Sequence, residues 1–209
     1  MKLIVFGATG GTGRHLLTQA LHLGHEVSVL CRYPEKISTQ HKRLKILQGD
    51  SLDAEAVSAA VQGQEAVLCA LGMPSVRDKS RLRTQATQHI IQAMHHHGIK
   101  RLLCLSAFGA GDSFKHLPFH YRHVLVPLFM KPLYDDHNGQ EQSVMQSDLD
   151  WTLIRPAILN DGKPIHHYQH GTSLLPSARL KISRADVADF MLQQLTHSAY
   201  LRQAATISE

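Results

Sequence analysis

Short runs of apolar residues recur along the chain and are separated by segments with helical periodicity. The runs are mostly unalternating and partly β-branched, as expected of strands covered on both faces of a sheet. They are Leu3 to Phe6, Val27 to Cys31, Leu44 to Leu47, Ala66 to Ala70, Leu102 to Ser106 and Trp151 to Ile154. The pattern predicts a set of parallel strands.

Apolar residues three and four positions apart predict helices between these strands. Gly24 and Gly98 mark the ends of two of them, because glycine is favoured just after a helix. A shorter helix is predicted from Asp53 to Val61. Two pairs resemble capping boxes, in which a polar residue is followed three positions later by an acidic one. They are Asn138 with Glu141, before a helix from about Gly139 to Ser147, and Ser183 with Asp186.

The alternation of strands and helices from residue 2 to about 156 predicts an α/β fold. Crossover connections between parallel strands are nearly always right-handed, so the expected topology is a three-layer, doubly wound parallel sheet with the first strand near its centre. No linker rich in proline, glycine or serine divides the chain, and no internal repeat is visible. We therefore expect a single domain over residues 1–209.

The segment from Phe108 to Asp136 interrupts this alternation. It has no clean period and is rich in prolines and aromatic residues: Pro118, Pro127, Pro132, Phe114, Phe119, Tyr121, Phe129 and Tyr134. A long insertion at the carboxyl edge of a parallel sheet is more often a lid or a substrate wall than a plain connection. We expect residues 108–136 to border a substrate site, with a plain connection as the alternative.

Composition excludes several classes of protein. With 43% hydrophobic and 19% charged residues, the 209-residue chain is neither disordered, fibrous nor a disulfide-stapled miniprotein. Its apolar runs are too short for a signal-peptide core or a membrane span. The three cysteines, Cys31, Cys69 and Cys104, are odd in number and lie in apolar runs, so we expect reduced core residues in a cytoplasmic protein.

The formal net charge of +5 favours anionic partners. The basic residues are scattered and only one Trp and five Tyr are available for stacking, which argues against nucleic acid and leaves a phosphate-bearing cofactor. Neither a membrane partner nor a metal is expected. In His95-His96-His97, for example, consecutive helical side chains point in different directions.

A glycine loop follows the first strand directly, with the sequence Gly7-Ala8-Thr9-Gly10-Gly11-Thr12-Gly13. Gly7 permits a sharp turn, Gly10 lets backbone N–H groups approach a pyrophosphate, and Gly13 lets the next helix pack closely on the sheet. The positive end of that helix faces the phosphates. Glycine loops also serve as plain turns, but the position between strand and helix predicts a dinucleotide site formed by Gly7, Thr9, Gly10, Gly11, Thr12 and Gly13.

Arg32 stands at the end of the second strand, where NAD-binding proteins carry an acidic residue for the ribose 2′-hydroxyl. A guanidinium can bind a 2′-phosphate instead, and Lys36 is a candidate second cation. The residues therefore predict NADP(H) as the cofactor. The alternative is that Arg32 is an ordinary surface residue at a strand end.

The loop resembles that of the atypical short-chain dehydrogenases/reductases, specifically the NmrA-like and flavin-reductase/biliverdin-IXβ-reductase branch, which have a Rossmann fold. The likeness covers nearly the whole chain. Further similar positions are Leu30-x-Arg32, Gly49-Asp50, Leu71-Gly72, Ser106-Ala107-Phe108, Asp135-Asp136-His137, Arg155-Pro156 and Ile182 to Asp186.

The resemblance implies a role for residues at several strand ends. Asp50 and Ser51 would lie beside the adenine, and Gly72 and Met73 beside the adenosine ribose and the phosphates. Four residues would surround the nicotinamide, with the first two as catalytic candidates: Ser106, His137, Pro156 and Ala157. Structural alternatives remain open, because Asp50 could cap a helix and Ser106 could satisfy a local backbone group.

The chain lacks the Tyr-x-x-x-Lys pair that supplies acid–base chemistry in most short-chain dehydrogenases. A flavin-like acceptor needs less, because it stabilises incoming charge itself. The resemblance therefore implies an NADPH-dependent oxidoreductase that transfers hydride to a flavin-like small molecule. Tetrapyrrole reduction is less favoured, because Ala157 stands where biliverdin-reducing relatives carry a His. The alternative is an NmrA-like redox sensor that binds NAD(P) without catalysis.

Overall fold

A computed structural model of the chain describes residues 1–73, 75, 78–175 and 181–209. Its ten strands are β1 (Lys2–Phe6), β2 (Glu26–Cys31), β3 (Leu44–Gln48), β4 (Ala66–Cys69), β5 (Arg101–Leu105), β6 (Asp150–Pro156), β7 (Ile158–Asn160), β8 (Gln169–Gly171), β9 (Lys181–Ser183) and β10 (Gln203–Ser208). Its five α-helices are α1 (Gly11–His22), α2 (Ala54–Val61), α3 (Leu82–His97), α4 (Lys131–Met145) and α5 (Arg184–Gln193).

The main sheet has the strand order β3-β2-β1-β4-β5-β6-β10-β8. All pairs are parallel except β10 with β8. β1 lies between β2 and β4, so the strand order reverses beside it, as expected of a doubly wound sheet. The predicted α/β class and topology are confirmed, and the six predicted strands begin or end within two residues of the observed ones.

The helices cover both faces of the sheet. Leu16 and Leu17 of α1 share one apolar cluster with Phe190 of α5. Ile90 of α3 and Val144 of α4 belong to a second cluster on the opposite face. Burying a side chain of this size stabilises the fold by about 1.5–3 kcal/mol relative to leaving it exposed. Because helices cover both faces of the sheet, its strands are unbroken runs of apolar residues.

Most of the predicted helix ends are also observed. Gly24 and Gly98 adopt positive φ angles of 89° and 70° just beyond their helices. Asp53 caps α2 by accepting hydrogen bonds from the backbone of Glu55 and Ala56, and Ser183 caps α5 by accepting one from Asp186. The three cysteines are free and buried, as predicted.

The predicted start of α4 at Gly139 is wrong. The helix begins at Lys131, with Pro132 in its first turn, where a missing N–H costs nothing. Asn138 is therefore internal to the helix, and its Oδ1 accepts a hydrogen bond from the backbone of Gly111 at 2.8 Å. Asn138 therefore bonds to a residue remote in sequence and is not part of a capping box.

The segment after β5 is mostly helical rather than a loop. A 3-10 helix covers Gly111–His116 and a π-helix covers Tyr121–Met130, which leads directly into α4. We call residues 111–130 the arm. β7 and β9 pair separately from the main sheet. In the part of the chain that the structure describes, no helix is long and apolar enough to cross a membrane, and no group of three His, Cys, Asp or Glu residues could hold a metal.

Candidate active site

A cleft of about 640 Å³ opens at the carboxyl edge of the sheet, beside the point where the strand order reverses. Its walls come from the glycine loop, from the segments after β4, β5 and β6, and from the arm and α4. Ligands of open α/β proteins bind at this edge, and the volume is in the range of cofactor and substrate sites. The predicted site residues that line it are Gly10, Gly11, Thr12, Gly72, Met73, Ser106, His137, Pro156 and Ala157.

The glycine loop divides into a structural part and an open part. Gly7 has a φ angle of 84° and its carbonyl accepts a hydrogen bond from the Gly10 N–H at 2.9 Å. A Cβ on Gly13 would overlap the backbone of Gly7, so this glycine lets α1 start tightly against the turn. Gly7 and Gly13 therefore shape the loop without lining the cleft, and Thr9 does not line it either.

The first turn of α1 is open to an anion. Gly10 caps the helix without a side-chain hydrogen bond, so the first backbone N–H groups have no capping side chain. Gly10, Gly11 and Thr12 all line the cleft. A helix start of this kind combines free N–H donors with the positive end of the helix dipole, and it fits a pyrophosphate.

Arg184 lies over the glycine loop, a placement that the sequence analysis missed. A Cβ on Gly11 would come within 2.5 Å of Arg184 Cδ and 2.6 Å of Nε. The guanidinium pairs with the exposed carboxylate of Asp161 at 2.8 Å. Arg184 is thus a cation beside the helix start, held by a partner that an incoming phosphate can replace.

Ser106 and His137 form the polar floor of the cleft. Both are about 5% exposed or less, and neither Ser106 Oγ nor His137 Nδ1 has a hydrogen-bond partner among the described residues. Burial, reinforced by the nearby charge of Arg83, lowers the pKa of His137 to about 3 against a smaller raising effect of Gln140. His137 is therefore neutral at ordinary pH, and both groups are available to a ligand.

Arg83 is a second cation that the sequence analysis missed. Its Nε donates to the carbonyl of Leu71 at 3.1 Å, and its buried Nη1, 3.6 Å from Asp136, has no hydrogen-bond partner among the described residues. Asp136 also accepts hydrogen bonds from the backbone N–H groups of Arg83 and Thr84. An arginine in the first turn of a helix that follows a strand end was the available signal, but its burial depends on Asp136, remote in sequence.

The outer wall of the cleft is apolar. It is formed by side chains of the arm and the start of α4: Leu117, Pro118, Tyr121, Met130, Leu133 and Tyr134. The hydroxyl of Tyr134 donates to the carbonyl of Phe108 at 3.3 Å, and burial raises its pKa to about 12, with a smaller contribution from Tyr121. Tyr134 therefore forms part of the wall of the cleft, and its raised pKa means that it does not act as a base.

Arg32 and Lys36 lie outside the cleft, at the carboxyl end of β2. Both are exposed and both approach the ring of Tyr33, with Arg32 Cζ at 5.8 Å and Lys36 Nζ at 4.5 Å from its centroid. The structure thus brings the two predicted cations around one half-exposed aromatic ring.

Asp50 and Ser51 also lie outside the cleft, after β3. Asp50 Oδ1 accepts a hydrogen bond from the backbone of Leu52 at 3.0 Å, and the carbonyl of Ser51 accepts one from His89 Nδ1 at 3.4 Å. The cap of α2 is Asp53 rather than Asp50. Asp50 therefore stabilises the turn before that helix.

Comparison with known proteins finds a matching family, relatives of similar sequence and solved structures of similar fold. A family model described as NAD(P)H-binding matches residues 7–198. The chain is 28% identical over 99% of its length to 98% of the uncharacterized protein YwnB of Bacillus subtilis, and 23% identical over 92% of its length to 76% of the oxidoreductase AflX of Aspergillus parasiticus. The solved structure of ChuY, described as an anaerobillin reductase from Escherichia coli, shares 22% identity with a TM-score of 0.84 and covers 100% of this chain and 97% of that one.

The family match spans the strand, glycine loop and helix that carry the open helix start, and it continues through the segments that line the cleft. Some proteins of similar sequence are named as oxidoreductases or reductases. The chain itself belongs to the NAD(P)H-binding family, and its fold is a Rossmann fold.

Proposed function

We propose that the protein is an NADPH-dependent reductase that transfers hydride to a planar, flavin-like acceptor. The observation that carries this proposal is the character of the cleft: an apolar wall facing a floor whose polar groups, Ser106 Oγ and His137 Nδ1, are unpartnered and uncharged. Such a site can orient flat conjugated rings. Among the described residues that line it, there is no carboxyl group, and the imidazole of His137 is neutral, so neither an imidazolium nor a carboxylic acid is present to deliver a proton near neutral pH.

The residues present fit the dinucleotide. The open helix start at Gly10 to Thr12 would hold the diphosphate, and Arg184, which lies beside Gly11, would supply a cation. Arg32 and Lys36 would receive the 2′-phosphate, with the exposed ring of Tyr33 between them. Gly72 faces open space where a side chain would meet nothing within 4 Å, which leaves room for the adenosine ribose.

Hydride transfer to a flavin-like acceptor depends mainly on how the two rings are oriented. When bound, the reduced nicotinamide supplies a hydride, and a flavin-like acceptor takes its proton from solvent. The chain's own contribution is to hold two rings face to face and to exclude water, a proximity effect that reaches roughly 7–11 kcal/mol in well-aligned reactions. Ser106 Oγ and neutral His137 provide hydrogen bonds that fix the ring plane.

The names of similar proteins support a reductase in general. AflX is named an oxidoreductase. A relative from Streptomyces griseus, 26% identical over 74% of this chain and 46% of its own length, is named a (4-alkanoyl-5-oxo-2,5-dihydrofuran-3-yl)methyl phosphate reductase. ChuY is named an anaerobillin reductase. Because these names point to different acceptors, a linear tetrapyrrole is the second acceptor to assay beside the flavin.

The direct test mixes the purified protein with NADPH and FMN and follows the absorbance of the reduced nicotinamide. We expect catalytic decay, a few-fold slower turnover in Ser106→Ala, and an unchanged Kd for NADPH in that variant. Part-buried Ser58 on α2 serves as the control, because its hydroxyl contacts His97 at 3.0 Å and lies outside the cleft. Ser58→Ala should leave both turnover and NADPH affinity unchanged. Tight NADPH binding without decay with either acceptor would favour the non-catalytic sensor instead.

A further inference from the structure

Large apolar side chains face solvent along the arm. Phe119 is 73% exposed and Leu128 is 69% exposed, and Val124 and Phe129 are each close to half exposed. All four lie within residues 119–129. Contiguous exposed apolar surface on a folded protein marks an interaction site far more often than scattered single residues do.

These side chains lie on one side of the arm. The spacings from Phe119 to Val124 and from Val124 to Leu128 are five and four residues, which follow the repeat of the π-helix in this segment. The opposite side is occupied, because Tyr121, Val126 and Met130 pack on the protein. We call Phe119, Val124, Leu128 and Phe129 the outer face of the arm.

Within the stretch of chain that carries the outer face, the charged side chains are of one sign. No acidic residue occurs from Ser113 to Tyr134, whereas Lys115, Arg122 and several histidines do. Arg122 Nη1 donates to the backbone carbonyl of Lys115 at 3.0 Å, so the guanidinium lies against the turn that precedes the π-helix. The arm thus combines an exposed apolar face with cationic residues close to it in sequence.

We propose that the outer face of the arm docks on an anionic lipid surface. This differs from the expectation of no membrane partner, which rested on the lack of an apolar run long enough to span a bilayer. Phe119, Leu128 and Phe129 enter the boundary between headgroups and acyl chains, while Lys115 and Arg122 face lipid phosphates. A surface-bound helical segment with an apolar face and flanking cations is suited to this environment, and it does not need to span the bilayer. A second copy of the chain fits less well, because two identical faces would oppose cation to cation.

This docking is independent of the proposed reductase activity, since none of the four outer-face side chains lines the cleft. The inner side of the same arm does line it, through Leu117, Tyr121 and Met130. Lipid binding can therefore be measured without cofactor or acceptor, and its failure would leave the reductase proposal untouched.

The experiment is sedimentation of the full chain with vesicles of phosphatidylcholine alone or with about one-third phosphatidylglycerol. We expect binding to the anionic vesicles, weak binding to the neutral ones, and at least a tenfold loss between about 0.1 M and about 1 M salt. The variant Leu128→Ser/Phe129→Ser should lose at least tenfold in binding. Leu23→Ser, at an equally exposed leucine beyond α1, is the matched control and should bind as the parent does.

Replacing both cations, as Lys115→Gln/Arg122→Gln, should remove the preference for anionic vesicles. Unchanged thermal unfolding and NADPH affinity would show that each variant is folded. Equal binding to both vesicle types, absence of binding to either, or an unaffected Leu128→Ser/Phe129→Ser variant would overturn the proposal. So would a concentration-dependent dimer in light scattering that this variant abolishes, which would assign the face to self-association.

Discussion

The carboxylate of Asp136 accepts a hydrogen bond from the backbone N–H of Arg83 at 3.0 Å and lies 3.6 Å from the guanidinium of the same residue. It also accepts from the backbone and hydroxyl of Thr84. One buried side chain of α4 therefore caps α3 and neutralises the arginine at the base of the cleft. This joins the helix that carries His137 to the helix that carries Arg83.

Asp136→Ala should be strongly destabilising. It removes the acceptor of several buried donors and leaves the Arg83 charge unpaired, a loss of about 3–5 kcal/mol in the free energy of unfolding. Urea denaturation followed by circular dichroism measures it. Asp135→Ala is the control, because Asp135 is half exposed and pairs with Lys131 in an i,i+4 contact worth about 0.3–0.5 kcal/mol. Equal losses in the two variants would contradict the capping role.

Arg32→Ala should discriminate between the two nicotinamide cofactors. Loss of a charge-assisted hydrogen bond of about 1.5–3 kcal/mol corresponds to a rise of roughly ten- to 150-fold in the Kd for NADPH, with the Kd for NADH nearly unchanged. Titration calorimetry with each cofactor provides both values. If both affinities fall by the same factor, Arg32 does not bind the 2′-phosphate.

Arg184→Ala should weaken the binding of both cofactors rather than of NADPH alone. Because Arg184 lies over Gly11 at the helix start, its loss should weaken NADPH and NADH by a similar factor, on the order of tenfold or more. Asp161→Asn is the matched variant, since it frees the guanidinium from its present partner and should leave both affinities equal or higher. A loss of affinity for NADPH alone would contradict a contact between Arg184 and the diphosphate.

His137 should make the protein less stable in mild acid. Its pKa is lowered to about 3 in the folded state, mainly by burial, whereas the unfolded chain takes up a proton near its ordinary pKa of about 6.5. Protonation therefore stabilises the unfolded state as the pH falls below about 6.5. The free energy of unfolding drops by about 2 kcal/mol between pH 7 and pH 5 as a result. His137→Gln should lose that much less stability over the same interval, as measured by urea denaturation at both pH values.

The same lowered pKa bears on activity. Because His137 stays neutral down to about pH 3, flavin reduction should show no inflection from this residue between pH 5 and pH 8. A rate that falls with an apparent pKa near 6.5 and becomes flat in His137→Gln would show that the imidazole acts as a proton donor after all.

The strands around β1 could be read from the sequence because both faces of each are covered, so burial is recorded in consecutive apolar residues. The strand β10, Gln203–Ser208, could not. It holds few large apolar side chains and forms by pairing with β6, a contact between distant parts of the chain. Its place in the sheet depends on tertiary structure rather than on local pattern.

The candidate site shows the same division. Gly10, Ser106 and Pro156 follow strand ends, so their position at the carboxyl edge could be predicted before the structure was known. Arg83 and Arg184 are held beside the cleft by contacts that include Asp136 and Asp161, many residues away in the sequence. Ordinary surface arginines have the same local sequence signal, and only the folded chain distinguishes them.

Arg155 of β6 fixes the root of the arm. Its guanidinium binds both carboxylate oxygens of buried Glu141 at 2.8 and 2.7 Å and reaches Asp112 at 2.7 Å, with Gly111 so close that a Cβ there would come within 2.6 Å of Arg155 Nη2. The first turn of the arm is therefore fixed to the sheet through Arg155 and to α4 through Glu141. Any deflection wide enough to admit an acceptor must begin beyond the anchored turn, so amide hydrogen exchange should be slow at the root and progressively faster toward Phe119.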